Sequence, residues 1–184
     1  MILFCDTSAL IKLLISEPES DQMEESSSQA EAIAVCRITW AEAMAGMARR
    51  QREDPISGDD IEQARQQLIH RWDQFTIVEV SQRLVETAGR FADVFALRGF
   101  DSVQLAAAQE LGQSTEQPLT FACFDRRLKQ AASLLQLSLA HLEAAATHRQ
   151  MASKPGAPVP CAERFEGVAR PRAAASCLHP PLWC

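Results

Sequence analysis

Four carboxylates are notable for what precedes them. Asp6 directly follows the apolar run Met1-Ile2-Leu3-Phe4-Cys5. Glu42 lies in the first turn of a helical stretch opened by Thr39, just after the apolar segment 33–38. Asp101 opens an alanine-rich helix, and Asp125 follows the apolar segment 119–124. Residues that follow strands in an open α/β sheet collect at its carboxyl edge, where ligands bind. Carboxylates gathered there repel, and without a cation one or more would keep a proton at neutral pH. A divalent ion resolves the conflict. Magnesium takes oxygen donors, few of them from protein, and retains several waters. Such an ion lowers the pKa of a bound water, and a second one about 3.5–4 Å away stabilises a leaving oxygen, which is what phosphodiester hydrolysis requires.

Each acid also has a plainer reading. Thr39-Trp40-Ala41-Glu42 is a capping-box pattern, with Glu42 bonding back to the Thr39 amide. Asp101 and Asp125 read as N-caps favoured by the helix dipole, and Asp6-Thr7-Ser8 as an Asx-turn. These readings weaken when the acids are taken together, because Asp6, Asp101 and Asp125 all abut apolar segments.

The elements that must position these acids are legible in the hydrophobic pattern. Segments 1–5, 33–38, 75–80 and 119–124 read as strands, with 137–141 as a possible edge strand. Helical stretches are expected over 8–15, 19–32, 39–52, 59–72, 81–97, 102–111 and 126–135. Asp54-Pro55 and Ser57-Gly58 mark a loop, and Arg98-Gly99-Phe100 a break. Strands alternating with helices indicate an α/β fold: an open parallel sheet flanked by helices in three layers, with right-handed crossovers.

A length of 184 residues with 47% hydrophobic content suits one globular domain. No apolar run reaches membrane-spanning length, and the N-terminus lacks the basic lead of a signal peptide, so a cytoplasmic protein without membrane contact is expected. Cys5, Cys36 and Cys123 read as small buried hydrophobes. Cys161, Cys177, His179 and Cys184 match no usual zinc spacing. The net charge is −6. Residues 144–184 hold five basic and two acidic side chains, so the surplus of acid lies upstream. An acidic body disfavours broad nucleic-acid affinity, although bound metal offsets a local acidic pocket. The domain is expected over 1–147. The proline- and alanine-rich stretch 148–184 reads as a disordered tail.

Taken in series, the motifs resemble the PIN-domain family, and VapC-type toxins in particular. Asp6-Thr7-Ser8-Ala9-Leu10 resembles the family's opening motif. Glu17-Pro18-Glu19 and Thr39-Trp40-Ala41-Glu42 resemble the segment leading to its first glutamate. Phe100-Asp101-Ser102-Val103-Gln104-Leu105-Ala106-Ala107-Ala108 resembles its third acid and apolar helix, and Leu119 through Leu128 the strand bearing the fourth acid. The series covers about residues 1–142.

The resemblance implies a PIN-like fold and a metal-dependent endoribonuclease, the toxin of a toxin–antitoxin pair. Asp6, Glu42 and Asp101 would hold Mg2+ or Mn2+, and Asp125 would complete the pocket or hold a second ion. Ser8 would line the site. Expected partners are RNA, a cognate antitoxin docked near the first helices, where Ala9, Leu10, Leu13, Leu14 and Ile15 suggest an apolar groove, and a second copy in a homodimer. Arg49, Arg126 and Arg127 are the residues placed to hold phosphates, with Arg50, Arg52 and Lys129 beside them. With no Tyr in the chain, base stacking would fall to Trp40, Phe100 or Phe124, each of which reads first as core. Cys123 stands where the family often has Thr or Ser. The competing reading is a non-catalytic acidic-pocket module that senses metal or phosphate, or an inactive PIN-like domain. A receiver-type domain would place its acceptor Asp after the middle strand, and a dehalogenase-like phosphatase would need an acid where Ser8 stands.

Overall fold

The structure, a computed structural model, describes residues 1–54 and 58–142. The strands are β1 (Ile2–Cys5), β2 (Ala32–Cys36), β3 (Thr76–Val78), β4 (Leu119–Ala122) and β5 (Ser138–Leu139). The helices are α1 (Thr7–Lys12), α2 (Ser20–Ser28), α3 (Thr39–Glu53), α4 (Gly58–Arg71), α5 (Gln82–Phe95), α6 (Gly99–Ser114) and α7 (Arg126–Leu134). A short 3-10 turn, Trp72–Gln74, leads from α4 into β3.

The sheet runs β3-β2-β1-β4-β5, and every pairing is parallel. The chain builds outward from β1 to β2 and β3, then crosses to the other side for β4 and β5. β1 is therefore central, and the strand order reverses beside it. Loops leave in opposite directions at such a point and open a crevice at the carboxyl ends of β1, β2 and β4.

All four β1 residues are buried, because successive side chains feed opposite faces. Ile2 and Phe4 join Ala34, Cys36 and Phe121 under α5, α6 and α7. Leu3 and Cys5 join Val35 and Ala122 under α1 to α4. This is the expected three-layer arrangement. Phe4 and Phe121 are fully buried, with ring centroids 5.8 Å apart; each such burial contributes roughly 1.5–3 kcal/mol. On α6, Ala106, Ala107 and Ala108 are all buried, and small side chains let a helix lie close to its neighbours. Cys5, Cys36 and Cys123 are buried free thiols.

Three expectations are corrected. Ala9, Leu10 and Leu14 fill the second core and form no open groove, whereas Leu13 is only part-buried and Ile15, also in that core, lines the cleft described below. The break at 98–100 is shorter than expected. α6 already starts at Gly99, where the Ser102 amide bonds the Arg98 carbonyl at 3.0 Å and the Ser102 hydroxyl bonds the Gly99 carbonyl at 2.7 Å. The glycine tolerates the first helical position although it reads as a breaker. Asp101 is consequently a first-turn residue and not an N-cap. Of the expected loop at 54–58, Asp54 ends α3 and Gly58 begins α4, while Pro55 and Ser57 lie outside the described residues. So does the whole segment 148–184. Among the described residues, no helix is long and apolar enough to cross a membrane.

Candidate active site

Asp6 sits where β1 turns into α1. Its amide extends the β1–β4 ladder to the Ala122 carbonyl at 3.0 Å. Its side chain caps α1, with Oδ1 accepting from the Ala9 amide at 2.8 Å. The Ser8 hydroxyl lies 2.8 Å from Oδ1 and 3.0 Å from Oδ2 and serves them with one proton. Ser8 Oγ in turn accepts from the Phe124 amide at 2.9 Å, which fastens the turn after β1 to the turn after β4. Asp6 thus serves as the cap of α1, and that role is compatible with a place in the cleft. Burial pushes the Asp6 carboxyl up to about 7; the bonds from Ala9 and Ser8 oppose the rise, and the nearby charges of Glu42 and Asp101 add to it.

Glu42 is held from two other elements. Its Oε2 accepts from Thr7 Oγ1 and from Gln104 Nε2, both at 2.7 Å. The expected capping box is absent: α3 has Ile38 at its N-cap with no side-chain cap, and Glu42 is drawn toward the sheet edge instead. Gln104 is buried and also donates to Thr39 Oγ1 at 2.9 Å and to Thr7 Oγ1 at 3.1 Å. Its two amide protons are shared among three acceptors. Thr7, Thr39 and Gln104 were not singled out as site residues in the sequence reading. The available signal was Gln104 itself, a polar side chain one turn after Asp101 within the otherwise apolar stretch 103–108.

Asp101 and Asp125 share an arginine. Arg98 Nε donates to Asp101 Oδ2 at 2.8 Å, and its Nη2 stands 3.8 Å from Asp125 Oδ2. Asp125 caps α7 as expected, with Oδ1 accepting from the Leu128 amide at 2.9 Å. Arg98, too, was not singled out from the sequence.

All four carboxylates line one open cleft of about 1200 Å3, together with Thr7, Ser8, Gln104, Arg98 and Phe100. Arg49, Arg50 and Arg52 line its wall. Arg49 is largely exposed and 3.8 Å from Glu53, and Arg50 is paired with Glu17. Arg126 and Arg127 are exposed on α7 but do not line the cleft. Phe100 is 62% exposed, which corrects its reading as core. Trp40 packs edge-on against Trp72 at 4.9 Å, and Phe124 lies beneath the ammonium groups of Lys12 and Lys129. Cys123 is buried, with burial pushing its thiol up, so it offers the cleft no ionised group.

Among the described residues, no three Asp, Glu, His or Cys side chains stand close enough together to hold one metal ion as they are placed. The donor chemistry nevertheless fits a hard cation. Every candidate is a carboxylate, and among the described residues hydrogen bonds reach Glu42 only at Oε2 and Asp101 only at Oδ2. Among the described residues, the buried Asp6 carboxyl is met by neutral donors and bonds no cation.

A family model described as the PIN domain matches residues 3–134. This chain belongs to the PIN-domain family. Nucleases of that family generally depend on a divalent metal. Ribonuclease VapC45 of Mycobacterium tuberculosis is 29% identical over 127 residues, covering 69% of this chain and 86% of that protein. Ribonuclease VapC46 of the same organism is 27% identical over 137 residues, covering 74% and 95%. Two solved structures share the PIN fold. VapBC-1 from nontypeable Haemophilus influenzae aligns with a TM-score of 0.53 at 17% identity, covering 76% of this chain and 96% of that one. VapBC2 from Rickettsia felis, bound to a promoter DNA fragment, aligns at 0.51 and 16%, covering 76% and 97%.

Proposed function

We propose that this PIN-domain chain is a metal-dependent endoribonuclease and the toxin of a toxin–antitoxin pair. The observation that supports it most is the meeting of Asp6, Glu42, Asp101 and Asp125 in one cleft at the sheet's switch point, with Asp6 buried and bonded by neutral donors. The names of the relatives give the reaction class: two ribonucleases.

In this reading Asp6, Glu42 and Asp101 hold Mg2+ or Mn2+, and Asp125 completes the pocket. Bound there, the ion supplies a hydroxide nucleophile near neutral pH and polarises a phosphoryl oxygen. The chain's own part is orientation. Ser8 and the Ala9 amide fix Asp6, and Thr7 and Gln104 fix Glu42, so the carboxylates lose little freedom on loading. Arg49, on the cleft wall, is placed for RNA phosphates. Arg126 and Arg127 would meet RNA only beyond the cleft. A cognate antitoxin is the protein partner, in line with the VapBC structures that share the fold, and a second copy of the chain is the other. The compartment is the cytoplasm.

The test is cleavage of structured RNA in manganese or magnesium, then in chelator. Wild type should cleave only with metal, and Asp6→Asn and Asp101→Asn should each lose at least about a hundredfold in rate. Undiminished cleavage in chelator would overturn the metal reading. Metal binding with no cleavage of any RNA would favour the acidic-pocket binding module instead.

A further inference from the structure

We propose that Arg98 is an exchanging counter-ion. In the metal-free protein its guanidinium holds Asp101 and Asp125, and when a divalent cation takes those carboxylates it transfers to a phosphate of the bound RNA. The inference rests on the ribonuclease reading of the same cleft.

Its placement makes the exchange possible. Arg98 is the extended residue immediately before α6, and its side chain makes no helix-capping bond. That side chain is 79% exposed, although it reaches across two turns of the chain to touch Asp101 at the start of α6 and Asp125 at the start of α7. An exposed pair of this kind contributes little stability, so releasing it costs little. A guanidinium cannot shed its proton. A cation arriving at Asp101 and Asp125 would therefore face a fixed like charge at contact distance, and displacement of the arginine is the way to relieve it. The displaced side chain remains tethered at the cleft, which Arg49 and the exposed ring of Phe100 also line. A planar fork of donors there matches two oxygens of a phosphate, and the ring next to it offers a face for a base.

The exchange predicts effects of opposite sign for one substitution. Arg98→Ala should bind Mn2+ about two- to fivefold tighter than wild type by calorimetry, because the competitor is gone. RNA affinity should move the other way, and only when metal is present. The probe is a fluorescent 20-nucleotide single-stranded RNA of mixed sequence, read by anisotropy with Ca2+ replacing the activating metal. There Arg98→Ala should bind about tenfold more weakly, with a log–log salt slope shallower by about 0.7–1. In chelator the two proteins should bind RNA alike. Arg98→Lys, which keeps the charge and loses the fork, should match wild type for Mn2+ and fall between the two for RNA. Mn2+ affinity that is unchanged or weaker in Arg98→Ala overturns the proposal, as does an RNA deficit that is equal with and without metal. Failure of the wild-type chain to cleave RNA strikes the ribonuclease reading instead, which separates the two.

Discussion

Asp6 carries the largest electrostatic cost in the cleft, and that cost sets a pH dependence. Its carboxyl is raised from 3.8 to about 7, so between those values the folded chain holds a proton that the unfolded chain has released. Its contribution to stability is full below about pH 4 and is lost as pH rises through 7. Without metal, Asp6→Asn should therefore be more stable than wild type at pH 8 in urea unfolding, by on the order of a few kcal/mol, and the gap should close toward pH 4. Manganese should raise the wild-type melting temperature at pH 8 more than that of the variant. A constant gap across the pH range would contradict this account. Gln104 acts differently, by position. Gln104→Leu leaves the buried Thr39 hydroxyl and one Glu42 oxygen without its amide, at a cost of about 1–3 kcal/mol in urea unfolding. The same change should lower Mn2+ affinity by about 10–100-fold; unchanged affinity would mean that Thr7 alone orients Glu42. The carboxylates were legible in the sequence because Asp6, Glu42 and Asp125 come after apolar runs and Asp101 opens one. Their helpers were not, because Gln104 meets Glu42 across 62 positions, Thr39 across 65 and Thr7 across 97. No local pattern records such a meeting.

Elements were legible in proportion to how much of them is buried. β1, β4 and α7 lie close to their expected bounds, since their apolar residues serve packed interiors. The outer strands β3 and β5 are shorter than their hydrophobic segments, because an edge strand has one neighbour to extend its ladder. The start of α6 was misread for a local reason: Gly99 looked like punctuation and is instead the helix's first residue. That difference of a few positions puts Asp101 inside the first turn, facing Arg98. Within α5, Gly89 shows the opposite case. Nothing lies within 4 Å of where its Cβ would stand, so the glycine adds only backbone freedom to the unfolded chain. Gly89→Ala should stabilise the protein by roughly 0.5–1 kcal/mol, measured as a higher urea midpoint at constant slope, with RNA cleavage unchanged. A lower midpoint would mean that α5 meets something absent from the isolated chain, such as a second copy.

For the molecule as a whole, the two-core sandwich around β1 accounts for every buried hydrophobic residue described. The chain cut after residue 147 should therefore melt at the temperature of the full chain, by calorimetry at matched concentration; a large drop would show that 148–184 supports the fold. The order of the sheet has a further consequence for how the protein is made. A ribosome delivers β1 first, yet one of its two neighbours is β4, and Ile2 must wait for Leu119. Until then a fully apolar strand has a bare flank, and Asp125 does not exist. A stalled or shortened product therefore presents a sticky edge and an unfinished cleft. Quality control, not RNA, is what such a fragment meets.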